Sequence, residues 1–145
     1  MDHEPDASEL LVHASHALRR SWMASLEPWN VAPHEFRALR AAADMEPARL
    51  SDLADRLRIA NRSVTEVVDS LEGKGLVQRA PSPTDRRAVV VSLTESGAHM
   101  MSQIAGARSA AGQAFLEPLS EQERATLSTL LARLVGDSPP HRSHR

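Results

Sequence analysis

Two groups of side chains in this 145-residue chain are spaced for chemistry, and in both the chemistry is recognition. Arg62, Ser63, Thr65, Glu66, Asp69 and Ser70 fall on one side of a segment whose other side is Val64, Val67, Val68 and Leu71. At helical spacing the aliphatic set must pack down, which leaves a face of short, polar, hydrogen-bonding groups outside. Such a helix can enter a major groove and meet base edges. Arg86 and Arg87 lie in Pro81-Ser82-Pro83-Thr84-Asp85-Arg86-Arg87, a turn-rich loop between two β-rich runs. A guanidinium at a stiff loop tip can enter a narrow minor groove or pair with phosphate. Asp85 is placed to pair with one arginine and aim it. Ser51, Asn61 and the N–H groups of two helix starts add uncharged phosphate donors.

Charge supports this placement in a modest way. The formal net charge is −2, but residues 58–91 hold six basic groups (Arg58, Arg62, Lys74, Arg79, Arg86, Arg87) against four acidic ones. Lys74 is the one lysine and joins the expected DNA-binding set. Each of these groups has a plainer reading as solvated surface. Glu66 has two: it accepts from a cytosine amino group, or it pairs with a neighbouring arginine.

A second cluster gathers His16, Arg19, Arg20, Trp22 and Trp29. An arginine beside an aromatic wall suits a small aromatic acid as effector. The competing reading puts the tryptophans in the core and the arginines on the surface. His13 and His16 have the i, i+3 spacing that can hold a metal, but two histidines are a weak signal, so no metal site is assigned. Enzyme signatures are missing. His3-Glu4 and His34-Glu35 each begin a zinc-protease pattern, but Ala7 and Ala38 stand where the second histidine belongs. There is no glycine-rich phosphate loop and no nucleophile elbow, so neither an enzyme nor a cofactor is expected. Without cysteine, disulfides and thiolate metal sites are excluded. No apolar run approaches the roughly 20 residues that span a membrane. The amino terminus is acidic, unlike a signal peptide, so the expected compartment is the cytoplasm.

These groups need a scaffold. Leu11, Ala14, Leu18, Trp22 and Leu26 stripe a first helix from about Ser8 to Glu27, which Pro28 stops. Pro33 suits the start of a second helix ending before Pro47. Ser51 is read as the cap of a short third helix. The fourth helix follows Ile59-Ala60-Asn61 and ends at Gly73 and Gly75. Leu76–Ala80 and Ala88–Leu93 read as a hairpin. Thr94 caps a fifth helix reaching about Leu116, and Ser120 with Glu123 forms a capping box for a sixth. The expected fold is mainly α with a small β-hairpin wing. A winged helix-turn-helix lobe over 33–93 is flanked by dimerisation helices over 8–27 and 94–135. The whole is one domain, 1–145, with a disordered tail from 136 to 145. The stripes of the terminal helices, Leu127, Leu130 and Leu134 among them, exceed what one small lobe can cover, so a homodimer is expected.

At Leu50–Gly97, and above all in VVDSLEGKGLVQR running into DRRAVVVSLTESG, the chain resembles the MarR family of bacterial regulators. The weaker match APHEFRALRAA extends the likeness upstream. The resemblance implies an obligate dimer on a pseudo-palindromic double-stranded DNA operator, usually as a repressor relieved by a small ligand. It places Arg62, Ser63 and Thr65 on the base-reading helix, Arg86 or Arg87 at the wing arginine, and Asp85 at the acid that steadies it. Two positions depart from the pattern: Glu66 stands where a basic residue is frequent, and Asn61 where a proline is common. The alternative is a winged-helix module that binds proteins and not DNA. Such a module should show Leu, Phe or Met on the outer face of the fourth helix.

Overall fold

The computed structural model describes residues 4–136; the expected tail beyond Gly136 lies outside the described residues. The chain divides into two compact units. One holds the chain up to Ser25 and again from Ala105 on, and the other is Leu26–Ile104.

In the central unit, helices α2 (Pro33–Asp44), α3 (Leu50–Leu57) and α4 (Asn61–Gly73) pack on one another beside a small antiparallel sheet. Their apolar faces meet at Leu39, Leu53, Val64, Val68 and Leu71, each almost wholly removed from water. Burying a side chain of this size stabilises by about 1.5–3 kcal/mol. That offsets the weak helical preference of three β-branched residues in α4. The sheet corrects the expected two-stranded hairpin. Strand β1 (Ala48–Arg49) pairs with β3 (Val89–Leu93), which also pairs with β2 (Val77–Pro81), in the order β1-β3-β2. A two-residue strand carries no alternation that a sequence could display, because partners across the sheet create it: Ala48 lies opposite Val91 and Arg49 opposite Val90.

That strand also shifts the start of the next helix. Arg49 occupies the cap position of α3, so Ser51 sits inside the first turn and does not cap it. Helix α4 likewise starts from Ala60 without a side-chain cap, with Asn61 as its first residue. Thr94 caps as expected: its Oγ1 accepts from the Gly97 N–H at 3.0 Å. Its hydroxyl donates to the Gly75 carbonyl at 2.6 Å, and its N–H to the Leu76 carbonyl at 3.0 Å. The start of α5 (Glu95–Phe115) is therefore clipped to the turn that ends α4. Gly75 makes that turn with φ +73°, a conformation a side chain disfavours.

The other unit contains α1 (Ala7–Ala24), the remainder of α5 and α6 (Glu121–Val135). Helix α1 starts where the Asp6 carboxylate accepts the Glu9 N–H at 2.9 Å. It ends earlier than expected, at Ala24. Leu26 does not extend its stripe but is buried in the central unit, and Pro28 falls in a 3-10 turn, Glu27–Trp29. The Ser120–Glu123 box forms at α6, with both reciprocal hydrogen bonds present. Neither α1 nor α6 contains a fully buried residue. Among the described residues no helix is long and apolar enough to cross a membrane.

Candidate nucleic-acid interface

Helix α4 separates its two faces as its pattern requires. Val64, Val68 and Leu71 are buried, Val67 and Ser63 half-buried, and Asn61, Arg62, Thr65, Glu66, Asp69 and Ser70 exposed. Arg62 and Glu66 form a loose i, i+4 ion pair at 3.5 Å, with 91% and 69% of their side chains exposed. A pair this open contributes little to stability, so either partner is free to exchange it for a base edge. The Thr65 hydroxyl donates to the Asn61 carbonyl at 3.0 Å, which satisfies its donor and leaves its oxygen able to accept.

The wing loop joining β2 to β3 is ordered from within. Ser82 is buried, its N–H donates to the Ala88 carbonyl at 2.9 Å, and its Oγ accepts from the N–H groups of Thr84 and Asp85. The Asp85 carboxylate accepts the backbone N–H of Arg87 at 3.0 Å. Asp85 thus steadies the loop through the main chain, not through a guanidinium as expected. A single short N–H bond is available locally, whereas an ion pair must order a long side chain. Both Arg86 and Arg87 are exposed, and among the described residues neither guanidinium has a partner.

The six basic groups of this region divide by role. Lys74 turns inward: its ammonium donates to Glu35 at 2.7 Å and to the Asn30 carbonyl at 2.8 Å. The Ser70 hydroxyl donates to the other Glu35 oxygen, and the Ala32 N–H to Glu35 at 2.9 Å. Burial works to raise the Glu35 pKa, but the Lys74, Ser70 and Ala32 hydrogen bonds outweigh it and hold the group down at about 2. This half-buried cluster ties the start of α2 to the end of α4, and it engages the Ser70 hydroxyl and the Lys74 ammonium although both residues lie at the surface. Arg79, at the middle of β2, bridges Asp69 at 2.6 Å and Glu72 at 3.0 Å. The sequence alone assigns no site role to Glu35 and shows Arg79 only as one of six basic groups. Glu35 at the third position of α2, where it accepts from the Ala32 N–H, is a local signal, but the reach of Arg79 back to α4 exists only once the strand is folded.

Ser51 is exposed in the first turn of α3. The expected effector residues are divided between the two units. His16, Arg19 and Arg20 are exposed on α1, whereas Trp29 packs against the core of the central unit. The guanidinium on the Trp22 ring is that of Arg108 from α5, 4.6 Å from the ring centre. The Trp22 indole N–H is buried, and among the described residues it has no hydrogen-bond partner. His13 is exposed like His16, and among the described residues no three metal-ligating side chains come together.

Known proteins share this arrangement. The profile of the MarR family matches residues 31–89, which span α2, α3, α4 and the wing loop. The chain is 34% identical over 147 residues to the candidate transcriptional regulator of the hcr operon of Thauera aromatica, covering 90% of this chain and 89% of that protein. It is 28% identical over 113 residues to the transcriptional repressor MdtR of Bacillus subtilis, covering 78% and 73%. Among solved structures, ligand-free MarR of E. coli superposes with a TM-score of 0.77 at 25% identity, covering 93% of this chain and all of that one. A mutant MepR of S. aureus bound to an oligodeoxyribonucleotide has the same fold, with a TM-score of 0.73 at 22% identity over 91% and 97% of the two chains. The polar outer face of α4, the arginine-tipped wing and this likeness across nine-tenths of the chain lead to one conclusion: the protein belongs to the MarR family of winged helix-turn-helix, DNA-binding transcriptional regulators.

Proposed function

We propose that the protein is a homodimeric repressor that docks on a pseudo-palindromic operator, with each α4 in a major groove and each wing beside it. The observation that carries this reading is the polar face of α4, Arg62, Ser63, Thr65 and Glu66, backed by an aliphatic face locked into the core. Arg62 and Glu66 suit the two halves of a G·C pair, guanine acceptors for the guanidinium and the cytosine amino group for the carboxylate. Arg86 and Arg87 take the backbone or a narrow minor groove, and Asn61 and Ser51 hold phosphates through neutral donors. Lys74 and Ser70 contribute by holding α4 in place. The work is binding, not catalysis, and its place is with the DNA in the cytoplasm.

Base readout is tested by measuring anisotropy on an operator selected from a random duplex pool and on the unselected pool. Arg62→Ala and Thr65→Ala should each weaken operator binding by about 1–3 kcal/mol and the random pool much less. Equal loss on both would mean that these side chains touch backbone only.

Dimerisation is supported by apolar surface on the terminal helices. Leu130, Leu134 and Val135 of α6 and Leu10, Leu11 and Val12 of α1 are all exposed in the single chain. Large apolar side chains left exposed along two helices suit an interaction site. Sedimentation at micromolar concentration should show a dimer, and Leu130→Glu with Leu134→Glu should shift it toward monomer. A parent chain that sediments as a stable folded monomer overturns the reading. The repressor assignment follows the likeness to MdtR. We assign the effector as a small aromatic acid beside Trp22, its carboxylate held by Arg19 one helix turn away, with Arg20 and His16 on the same helix.

A further inference from the structure

The helix proposed to enter DNA is acidic: α4 carries Arg62 against Glu66, Asp69 and Glu72. Phosphate surrounds a major groove, so three carboxylates on an inserted helix oppose approach. Two of the three are held by one side chain. Arg79 reaches back from β2, placing Nη2 2.6 Å from Asp69 and Nη1 3.0 Å from Glu72. Its Nη2 also donates to the Thr65 carbonyl at 3.4 Å, and its backbone N–H donates to the second Glu72 oxygen at 3.0 Å. The Arg79 side chain is only 23% exposed, whereas Asp69 and Glu72 stand 62% and 43% exposed. The fork therefore lies under the two carboxylates and occupies their lone pairs, in the planar geometry that arginine provides.

We propose that Arg79 is a charge-masking residue of the DNA interface: it neutralises Asp69 and Glu72 so that α4 can approach phosphate. The inference rests on the reading of α4 as the DNA-facing helix. Glu66 is the acid left outside the mask, and it alone faces Arg62, which assigns the free acid to readout and the masked pair to none.

The test uses the full-length protein and a labelled random duplex of about 30 base pairs, titrated between about 50 and 200 mM salt. With Asp69→Asn and Glu72→Gln together, Arg79 stays in place and its charge is released. Binding should tighten about tenfold at the lower salt, with a steeper salt slope. The same charge change at Glu117 and Glu121 should leave binding near the parent value. Arg79→Gln should weaken binding about tenfold, and adding the Asp69 and Glu72 changes to it should restore the parent affinity within about threefold. No change with Asp69→Asn, Glu72→Gln overturns the proposal, and this arm holds even if Arg79→Gln does not fold. An Arg79→Gln defect that neutralising the acids fails to rescue also overturns it, because Arg79 would then only anchor the wing. Arg62→Ala on the selected operator separates the two readings. If it weakens binding while the Asp69 and Glu72 changes do nothing, masking fails and the docking stands. If it too has no effect, the docking itself fails.

Discussion

Gly97→Ala should destabilise the protein by about 3 kcal/mol, the opposite of what helix propensity expects. Gly97 lies in the first turn of α5, and alanine within a helix is ordinarily better than glycine by about 1 kcal/mol. Here a Cβ would stand 2.0 Å from the Leu76 carbonyl oxygen and 3.0 Å from its carbon. Both atoms are main chain, so no rotamer change can clear them. The same oxygen accepts the Thr94 N–H, and the Thr94 hydroxyl holds the Gly75 carbonyl. Making room therefore means lifting the start of α5 off the turn that ends α4 and losing those hydrogen bonds. Gly106 in the same helix is the control, because a Cβ there meets nothing within 4 Å. Gly106→Ala should gain up to about 1 kcal/mol. Urea unfolding at one fixed protomer concentration measures both changes. A Gly97→Ala variant as stable as the Gly106→Ala one would show that the junction is loose. The junction joins the start of α5 to the turn that ends α4, the helix proposed to read DNA.

Lys74→Met should lose about 3 kcal/mol at neutral pH, and the loss should shrink in acid. Glu35 is only 4% exposed, and without Lys74 it becomes a buried carboxylate lacking its counter-charge. Breaking one side of a buried pair is worse than removing both, so adding Glu35→Gln should recover much of the loss. The sign of the pH effect follows from the Glu35 pKa, held at about 2 in the folded parent against an ordinary 4.5. A depressed carboxylate stabilises fully above its unfolded pKa, and its contribution fades as pH falls through the folded one. In the parent this stabilisation, on the order of 3 kcal/mol, is present above pH 4.5 and drains away toward pH 2. In Lys74→Met burial still works to raise the pKa while the Lys74 contribution that opposed it is gone, so Glu35 takes up its proton at higher pH than in the parent. The two proteins should therefore draw together as pH falls from about 4.5 toward 2. Unfolding curves at neutral pH and across that acid range decide it, and a parallel pH dependence in both proteins would remove the pair from the account of stability.

Much of this architecture is legible in the chain because it depends on neighbours a few residues apart. Val64, Val67, Val68 and Leu71 announce a one-sided helix, and Ser120 with Glu123 or Thr94 before Gly97 announce helix starts, since each cap bonds within its own turn. The outward set Arg62, Thr65 and Glu66 follows from the inward one by geometry. Prolines and glycines bound α2 and α4 closely for the same local reason. What stayed hidden depends on partners far away in sequence. Strand β1 exists because β3 lies beside it, and it moves the start of α3 so that Ser51 cannot cap. Lys74 looks like one more surface cation until α2 brings Glu35 to it across 39 residues. Arg79 looks like part of a basic patch until β2 folds back over Asp69 and Glu72. Trp22 meets Arg108, not Arg19 or Arg20, because α5 supplies the neighbour. Local periodicity says which way a side chain faces; which charge it meets there is decided only when separate elements pack, because an ion pair needs two groups within about 4 Å and sequence distance does not limit that.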